Sequence, residues 1–401
     1  MDPFARLPNE VICEILASCS DFTSLVGFQQ ISPAAATAFK GSFKEITESV
    51  LKNCPLTSWR LHCFFTCICS MWSNTFARDQ FLDILRGILP RRIPPISLST
   101  YTFEAVSHAV NVASKIHLLA CACLQHFLNR LNRLQIRRPL ASNEDLDNWI
   151  NLDHPLPGAG DVIEFPVDLP SWIENYRAHE ALWILVLQHE MQIAAKTRWM
   201  WQAEDRLEDM IRVFPSLIPR AKKGEELYTI LKCVWNMRRS KPPIPNPDDP
   251  LDIAVPSSSE LILQACWPLP NIPDIPEDPR YDDLCRGRAA LVSLRISEHA
   301  LGYLRSRRGH VALKLKIVHP LWKVDSEAFR RLGIPIYDGW RLYQMRLFMP
   351  SLPTISPHGK MIGTDEDREV WSPQVSTYIW YNLAEEGDIK GILKPPGLVE
   401  I

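Results

Sequence analysis

The residues best suited to chemistry in this sequence are two groups of cysteine and histidine side chains, the ligand types that zinc prefers. The groups are Cys63, Cys67 and Cys69, and His117, Cys121, Cys123 and His126. A spacing of four residues would place Cys63 and Cys67, or His117 and Cys121, on one helix face. Neither group has paired Cys-x-x-Cys knuckles, and His117 also falls on an apolar stripe. The pattern therefore predicts core side chains and no metal site.

Signatures of nucleotide binding and hydrolysis are absent from the sequence. It contains no GxGxxG, GxxxxGK, GxSxG or HExxH motif, since His179-Glu180 and His189-Glu190 both lack the second histidine. With 16 glycines in 401 residues, few loops could cradle a phosphate. The sequence predicts a non-catalytic protein without a cofactor.

Charge and hydropathy argue against nucleic acid or a membrane as a partner. The net charge is −2, and the arginines of residues 130–138 and 305–308 have no interleaved aromatic side chains for base stacking. The most apolar stretches, residues 64–72 and 116–124, are shorter than the roughly 20 residues of a membrane span. Without a secretory signal, the eleven cysteines are expected to be reduced and mostly buried, in the cytoplasm or nucleus.

Apolar spacing predicts that helices position these groups. Between Phe103 and Leu134, apolar residues recur at steps of three and four, which indicates one stripe of a long helix. Ser171 and Glu174 form a capping box, so a second long helix is predicted to begin at Ser171 and to run towards Phe214. Further helices are predicted at 222–238, 286–305 and 328–332.

Strand signals are few. Residues 311–318 alternate weakly and are predicted to pair with 340–348 or with 378–380, although 340–348 fits a helix equally well. The predicted fold is therefore mainly α: a three-helix N-terminal module, then an irregular α-helical domain, with room for a small β element near the C-terminus.

A proline-rich segment divides the predicted helical regions. Eleven of the 33 prolines fall between residues 241 and 279, which predicts an extended linker or loop, or alternatively a proline-motif ligand for a partner domain. The predicted organisation is a helical module at 1–45, helical regions at 46–150 and 151–240, the proline-rich linker at 241–280, and an aromatic-rich region at 281–401.

The first 45 residues predict three short helices. Residues 7–19 place their apolar side chains on one helical face, and Pro8 and Glu10 suit its first turn. Asp21 and Ser32 are good helix caps and predict two further helices. Such a small module is marginal alone, so it is expected to lean on the rest of the chain or on a partner.

This segment resembles an F-box. The opening pattern of that family is Leu-Pro-x-Glu-(Val/Ile), followed after three variable positions by Ile-Leu, and it is matched by Leu7, Pro8, Glu10, Val11, Ile15 and Leu16. Leu25 matches the leucine of the family's second helix. Residues 30–34 (Gln-Ile-Ser-Pro-Ala) stand where the familiar version has Val-Cys-x-x-Trp, and they look like the variant common in fungal F-box proteins.

The resemblance implies an adaptor of a ubiquitin ligase. F-box helices pack on a Skp-type adaptor and through it join a cullin, while the remaining chain recruits a protein target, here unidentified. The implied Skp-contact residues are Leu7, Pro8, Val11, Ile12, Ile15, Leu16, Leu25, Phe28 and Ile31. In such an interface, Leu16→Asp is predicted to abolish Skp capture while the chain stays soluble.

Two other functions remain open. The chain could bind Skp in a role outside ubiquitin transfer, or it could be an intracellular helical scaffold whose first helix only resembles an F-box. The scaffold alternative requires Leu7, Ile15 and Leu16 to be buried against the chain's own core. A cryptic enzyme would instead show a concave pocket with convergent titratable groups.

Overall fold

The structure of the chain is a computed structural model that describes most of the N-terminal half and short parts of the C-terminal half. The described residues are 2–57, 61–73, 97–142, 144–146, 148, 158–163, 169–199, 222–237, 326–337, 339–345, 347, 354–355, 361–362, 378–379 and 383.

Helices dominate the described residues. Of these residues 71% are helical and 4% form strands, which confirms the prediction of a mainly α fold. The helices are α1 (Asn9–Ala17), α2 (Phe22–Ile31), α3 (Pro33–Gly41), α4 (Phe43–Asn53), α5 (His62–Ser73), α6 (Phe103–Leu131), α7 (Trp172–Thr197), α8 (Lys222–Asn236), α9 (Ser326–Arg331) and α10 (Gly339–Gln344). The strands are β1 (Arg137–Pro139), β2 (Ala159–Val162), β3 (Thr354–Ile355) and β4 (Met361–Ile362).

The capping predictions for α2 and α3 are confirmed, whereas Pro8, predicted in the first turn of α1, lies at the N-cap position. Helix α1 begins directly after Pro8. The Asp21 carboxylate accepts the Ser24 N–H at 2.8 Å and caps α2. The Ser32 hydroxyl accepts the Ala35 N–H at 3.0 Å and caps α3. These side chains satisfy backbone donors that the first turn of a helix leaves without partners, so local sequence fixes where the helices start.

A fourth helix, α4, follows the three predicted helices directly and packs with them. Helix α1 packs on α3 and α4, and α2 packs on α3. Each helix contributes a side chain that is at most 1% exposed: Leu16, Leu25, Phe39 and Val50. Helix α4 therefore supplies core that three short helices could not provide by themselves.

Both long helices predicted from the apolar spacing are present. Helix α6 covers 29 residues. At the start of α7 the capping box is confirmed, because Ser171 N–H donates to Glu174 Oε2 at 3.0 Å and Glu174 N–H donates to Ser171 Oγ at 3.3 Å. Helix α7 ends at Thr197, well before Phe214. Residues 200–221 lie outside the described part.

The described strands form two small antiparallel sheets. Arg137 faces Val162 across β1–β2, and Thr354 faces Ile362 across β3–β4. The pair β3–β4 is the small β element expected near the C-terminus, but its residues are not the predicted ones. Residues 339–344 are helical, as are residues 378 and 379.

The strand interpretation of residues 340–348 is thus wrong and its helical alternative is correct. Arg341, Leu342 and Met345 are all buried, and their spacing is that of one face of a helix. Residues 311–318, the other predicted strand, lie outside the described residues.

The chain forms two compact units, each built from two stretches. One comprises residues 1–123 and 175–272, and the other comprises residues 124–174 and 273–401. The five consecutive segments expected from composition stay a prediction. Composition and periodicity act locally, so they do not indicate which distant segments pack into the same unit. The proline-rich segment at 241–280 and the helix predicted at 286–305 lie outside the described residues.

Candidate protein-docking site

The nine residues expected to contact Skp differ widely in exposure. They divide into buried Ile12, Leu16 and Leu25, half-buried Ile15 and Phe28, and exposed Leu7, Pro8, Val11 and Ile31. A partner can therefore reach six of them without unfolding the module. We call these six residues the docking face.

Large apolar side chains are unusually exposed on the docking face. Leu7 and Val11 are each 39% exposed, and Ile31 is 62% exposed. Among the described residues, seven large hydrophobic side chains are exposed, and three of them are these. Single exposed apolar residues are common in proteins, whereas a group of them indicates a contact surface.

The geometry of α1 explains why its apolar residues separate into two sets. Ile12 and Leu16 are four residues apart, so they lie on one face, and their burial shows that this face meets α3 and α4. Val11 precedes Ile12 by one residue and so lies about 100° away round the helix, outside that buried face, while Leu7 lies just before the first turn of α1. The apolar stripe of α1 is therefore wider than the part that its own module covers.

The expected effect of Leu16→Asp needs correction. The side chain is 0% exposed and forms part of the module's own core. An aspartate there would be a buried charge without a partner, which is strongly destabilising. That variant would unfold the module, and so it cannot report on docking.

The module is fixed to the helices that follow it by contacts at several points. Thr23 Oγ1 donates to the Ser114 carbonyl on α6 at 3.3 Å. Lys44 Nζ donates to the Ser99 carbonyl at 2.7 Å. The rings of Phe22 on α2 and Phe65 on α5 are stacked, with their centroids 5.3 Å apart. Helices α2 and α4 are therefore anchored to the body of the first unit.

Aromatic and backbone contacts add to this attachment. Phe103, the first residue of α6, contacts both Phe39 and Phe43, with ring centroids 6.2 and 5.5 Å away. The carboxylate of Glu48 accepts the Leu98 N–H at 2.7 Å. These contacts consequently fix the module that carries the docking face to the start of α6.

All members of the two histidine and cysteine groups except the half-buried His126 are core side chains, as predicted. His179 Nδ1 lies 2.7 Å from the Asn175 carbonyl and so carries the proton, which leaves Nε2 to accept from His117 Nδ1 at 3.2 Å. Cys121 Sγ lies 3.9 Å from the other nitrogen of His117. Burial, and then the neighbouring His117, lower the pKa of His179 to about 3. Both ring nitrogens of each histidine thus have partners within the protein.

The thiols follow the same pattern. None of the nine cysteines in the described part forms a disulfide, and eight of them are buried. Burial raises the pKa of Cys67, which keeps its thiol protonated and unreactive. No three histidine, cysteine or acidic side chains among the described residues are arranged to hold a metal ion.

A small cavity lies beneath the start of α2. Its walls include Asp21, Phe22, His117, His179 and Trp183, and its volume of about 20 Å³ is enough for one water molecule. Although titratable groups converge on it, the cavity has no space for a substrate. It is an internal packing gap between α2 and the longer helices.

A second polar cluster joins α5, α6 and α7. Glu190 Oε2 accepts the Trp72 indole N–H at 2.9 Å and lies 3.0 Å from His108 Nε2. Arg198 covers the indole ring, with 5.1 Å from its guanidinium carbon to the ring centroid. Burial by itself would raise the pKa of Glu190. The hydrogen bond and charge of His108, together with the hydrogen bond from Trp72, outweigh burial, and the pKa is lowered overall. The cluster holds three helices together.

The second unit contains a buried ion pair that sequence reasoning missed. Arg341 donates to both carboxylate oxygens of Glu174, at 2.7 and 2.9 Å, and the two side chains are 5% and 1% exposed. Its guanidinium also lies 5.4 Å from the Tyr337 ring centroid. The capping box identified Glu174, but no local signal connects it with a residue 167 positions later.

The four arginines of residues 130–138 differ in exposure: Arg133 and Arg138 are exposed, whereas Arg130 and Arg137 bind backbone carbonyls. Arg130 is 9% exposed, and its Nη1 donates to the Arg331 carbonyl at the end of α9, at 2.7 Å. Arg137 Nη1 donates to the Gly160 carbonyl at 3.3 Å, across β1–β2. These two cations bind backbone carbonyls of their own unit.

Comparisons with protein-family models, with curated proteins and with solved structures found no match to this chain. Within the described residues, every helix is too short or too polar to cross a lipid bilayer.

Proposed function

We propose that the chain is a non-catalytic adaptor of a Skp–cullin–F-box ubiquitin ligase, and that the docking face binds a Skp-type subunit. The observation that carries this proposal is the exposure of Leu7, Val11 and Ile31 on an otherwise well-packed and capped module. These side chains belong to the segment that resembles an F-box. The other part of the proposed role is recruitment of a protein target by the remaining helical chain.

Energetics support a contact made by several side chains together. Complete burial of one aliphatic side chain contributes about 1.5–3 kcal/mol. Association costs roughly 4–15 kcal/mol in lost freedom of motion. Leu7, Val11 and Ile31 are not enough by themselves, so the half-buried Ile15 and Phe28 must contribute as well.

Rigidity also supports the proposal. The caps of α2 and α3 and the contacts to Ser114, Ser99 and Phe65 fix the docking face before any partner arrives. A preorganised surface binds more tightly, because less conformational entropy is lost on association. A module with a fixed orientation can also hold a target at a constant position relative to its partner.

Binding of the full chain to a purified Skp-type adaptor tests the proposal, with Val11→Asp as the key variant. Val11 lies in the first turn of α1, where an acidic side chain suits the helix dipole, so the fold should be kept. We expect calorimetry to show at least a tenfold loss of affinity, since one desolvated charge costs more than the 1.4 kcal/mol of a tenfold change.

Leu140→Asp is the matched control, because Leu140 is 73% exposed and belongs to the second unit, whereas the docking face belongs to the first. It should bind as the wild type does. Absence of binding by the wild-type chain, or equal binding by Val11→Asp and wild type, would contradict the proposal.

The scaffold alternative has one observation in its favour. Leu16 is fully buried and Ile15 is half-buried, as a helix folded onto its own core requires, whereas Leu7 is exposed. Binding to Skp separates this alternative from the adaptor. Recovery of a cullin with the complex, together with ubiquitin transfer to a bound protein, then separates the adaptor from a Skp-binding protein with another role.

A further inference from the structure

The N-terminal segment folds back on the start of α3 through one carboxylate. Asp2 Oδ1 accepts the Phe4 N–H at 2.9 Å, and Asp2 Oδ2 accepts the Ala34 N–H at 3.0 Å. Two turns complete the segment, with Ala5 N–H donating to the Asp2 carbonyl at 3.4 Å and Leu7 N–H to the Phe4 carbonyl at 3.0 Å. We call residues 2–7 the N-terminal clasp.

The clasp supplies what α3 lacks at its own start. Pro33 has no N–H, and the Ser32 hydroxyl takes the Ala35 N–H, so the Ala34 N–H is left for a partner outside the helix. Asp2 fills that place from 32 residues away, and its negative charge suits the positive end of the helix dipole. A hydrogen bond with Ser32 is the main cause that lowers the pKa of Asp2.

The clasp also connects the two parts of the docking face. The ring of Phe4 meets that of Phe28 edge-on, with centroids 5.6 Å apart. Phe28 lies one turn before Ile31 on α2, and Leu7 follows Phe4 by three residues on the way into α1. Phe4 therefore contacts α2 through its ring and the residue two positions before α1 through its backbone carbonyl.

We propose that Asp2 is a positioning residue for docking, because it anchors the clasp on α3 and so makes Phe4 part of one continuous apolar surface with Leu7, Phe28 and Ile31. The inference rests on the proposed function, since the occupant of this surface is the helical face of the Skp-type subunit. Without the anchor the clasp would have to be ordered during association, which weakens binding.

The test measures the affinity of the full chain for a purified Skp-type adaptor in three variants. Asp2→Ala removes both acceptors, Asp2→Asn keeps one oxygen acceptor, and Phe4→Ala removes the ring without touching the anchor. We expect about tenfold weaker binding for Asp2→Ala and for Phe4→Ala, and a smaller loss for Asp2→Asn.

Asp145→Ala is the matched control, because Asp145 likewise accepts hydrogen bonds within a local turn, from Ser142, and belongs to the second unit rather than to the module. Amide hydrogen exchange at Ala34 gives a readout that does not depend on Skp. It should accelerate in Asp2→Ala and stay unchanged in Asp145→Ala, and circular dichroism should show that both variants remain folded under the conditions of the binding measurement.

Three results would decide against the inference. Wild-type affinity in Asp2→Ala and Phe4→Ala would overturn it and leave the proposed function intact. Unchanged exchange at Ala34 in Asp2→Ala would show that the anchor does not hold the clasp. Failure of the wild-type chain to bind Skp would overturn the inference together with the proposed function.

Discussion

At the scale of single residues, burial separates side chains of similar chemistry into different roles. Val11 and Ile12 are adjacent aliphatic residues of α1, yet one is 39% exposed and the other 3%. Glu174 and Arg341 are charged residues that polar patterning would place on the surface, yet both are buried and satisfy each other. The role of each side chain depends on what its neighbours cover.

The Glu174–Arg341 pair leads to a prediction about stability. Arg341→Met should lower the free energy of unfolding by about 3–5 kcal/mol, because it leaves a buried carboxylate unpaired. Adding Glu174→Gln to that variant should recover part of the loss, since no buried charge remains. Urea unfolding monitored by tryptophan fluorescence measures both. A double variant no more stable than Arg341→Met would mean that the unpaired charge is not the cause.

At the scale of elements, the caps determine where the docking face begins and ends. Asp21 and Ser32 fix the starts of α2 and α3, and Asp2 completes the start of α3 from outside the helix. Each cap satisfies a backbone donor that would otherwise lack a partner within its helix. Ile31, the last residue of α2, therefore lies directly before the capped first turn of α3, in a helix whose own first turn is also capped.

Asp21→Ala is predicted to destabilise the module by about 0.5–2 kcal/mol, the usual cost of removing a helix cap. Amide exchange at Ser24 should accelerate, because its N–H loses the carboxylate acceptor at 2.8 Å. Asp21→Asn is the control and should stay close to wild type, since an asparagine oxygen can accept the same bond. Equal loss in both variants would show that the negative charge, rather than the cap, matters.

At the scale of the whole molecule, two buried histidines predict how stability depends on pH. Burial, and then Arg130 and Arg133, lower the pKa of His126 to about 4. Burial, and then His117, lower that of His179 to about 3. His126 belongs to the second unit and His179 to the first, so both units carry the same kind of acid sensitivity.

The direction in which stability changes with pH follows from proton binding. Between the lowered pKa of the folded state and the ordinary pKa of 6.5, each histidine is neutral when folded and binds a proton on unfolding. Stability from the neutral form is thus complete above pH 6.5 and declines as the pH falls towards 4. For His126 the loss is on the order of 3 kcal/mol.

Denaturant unfolding at several pH values between 7 and 4 measures this slope. His126→Gln should flatten it even if the variant is less stable at neutral pH, because glutamine does not titrate. Glu190 has a lowered pKa and so affects the free energy of unfolding only near and below its ordinary pKa of 4.5. It does not contribute to the slope at higher pH. An unchanged slope in His126→Gln would show that other groups cause the acid sensitivity.

The sequence by itself determined the local features of this protein. The starts of α2, α3 and α7, the length of α6 and the mainly α composition follow from caps and apolar spacing, which act between residues a few positions apart. The core position of His117 followed from the same stripe.

Only the tertiary structure decided which apolar residues of α1 stay exposed, which helix Asp2 caps, and where Arg341 finds its partner. These facts depend on contacts across 32 or 167 residues, where periodicity carries no signal. The division into two units built from separate stretches has the same cause. Burial is a property of the packed whole, and for that reason a stripe of six apolar side chains in α1 could not reveal which of them would face a partner.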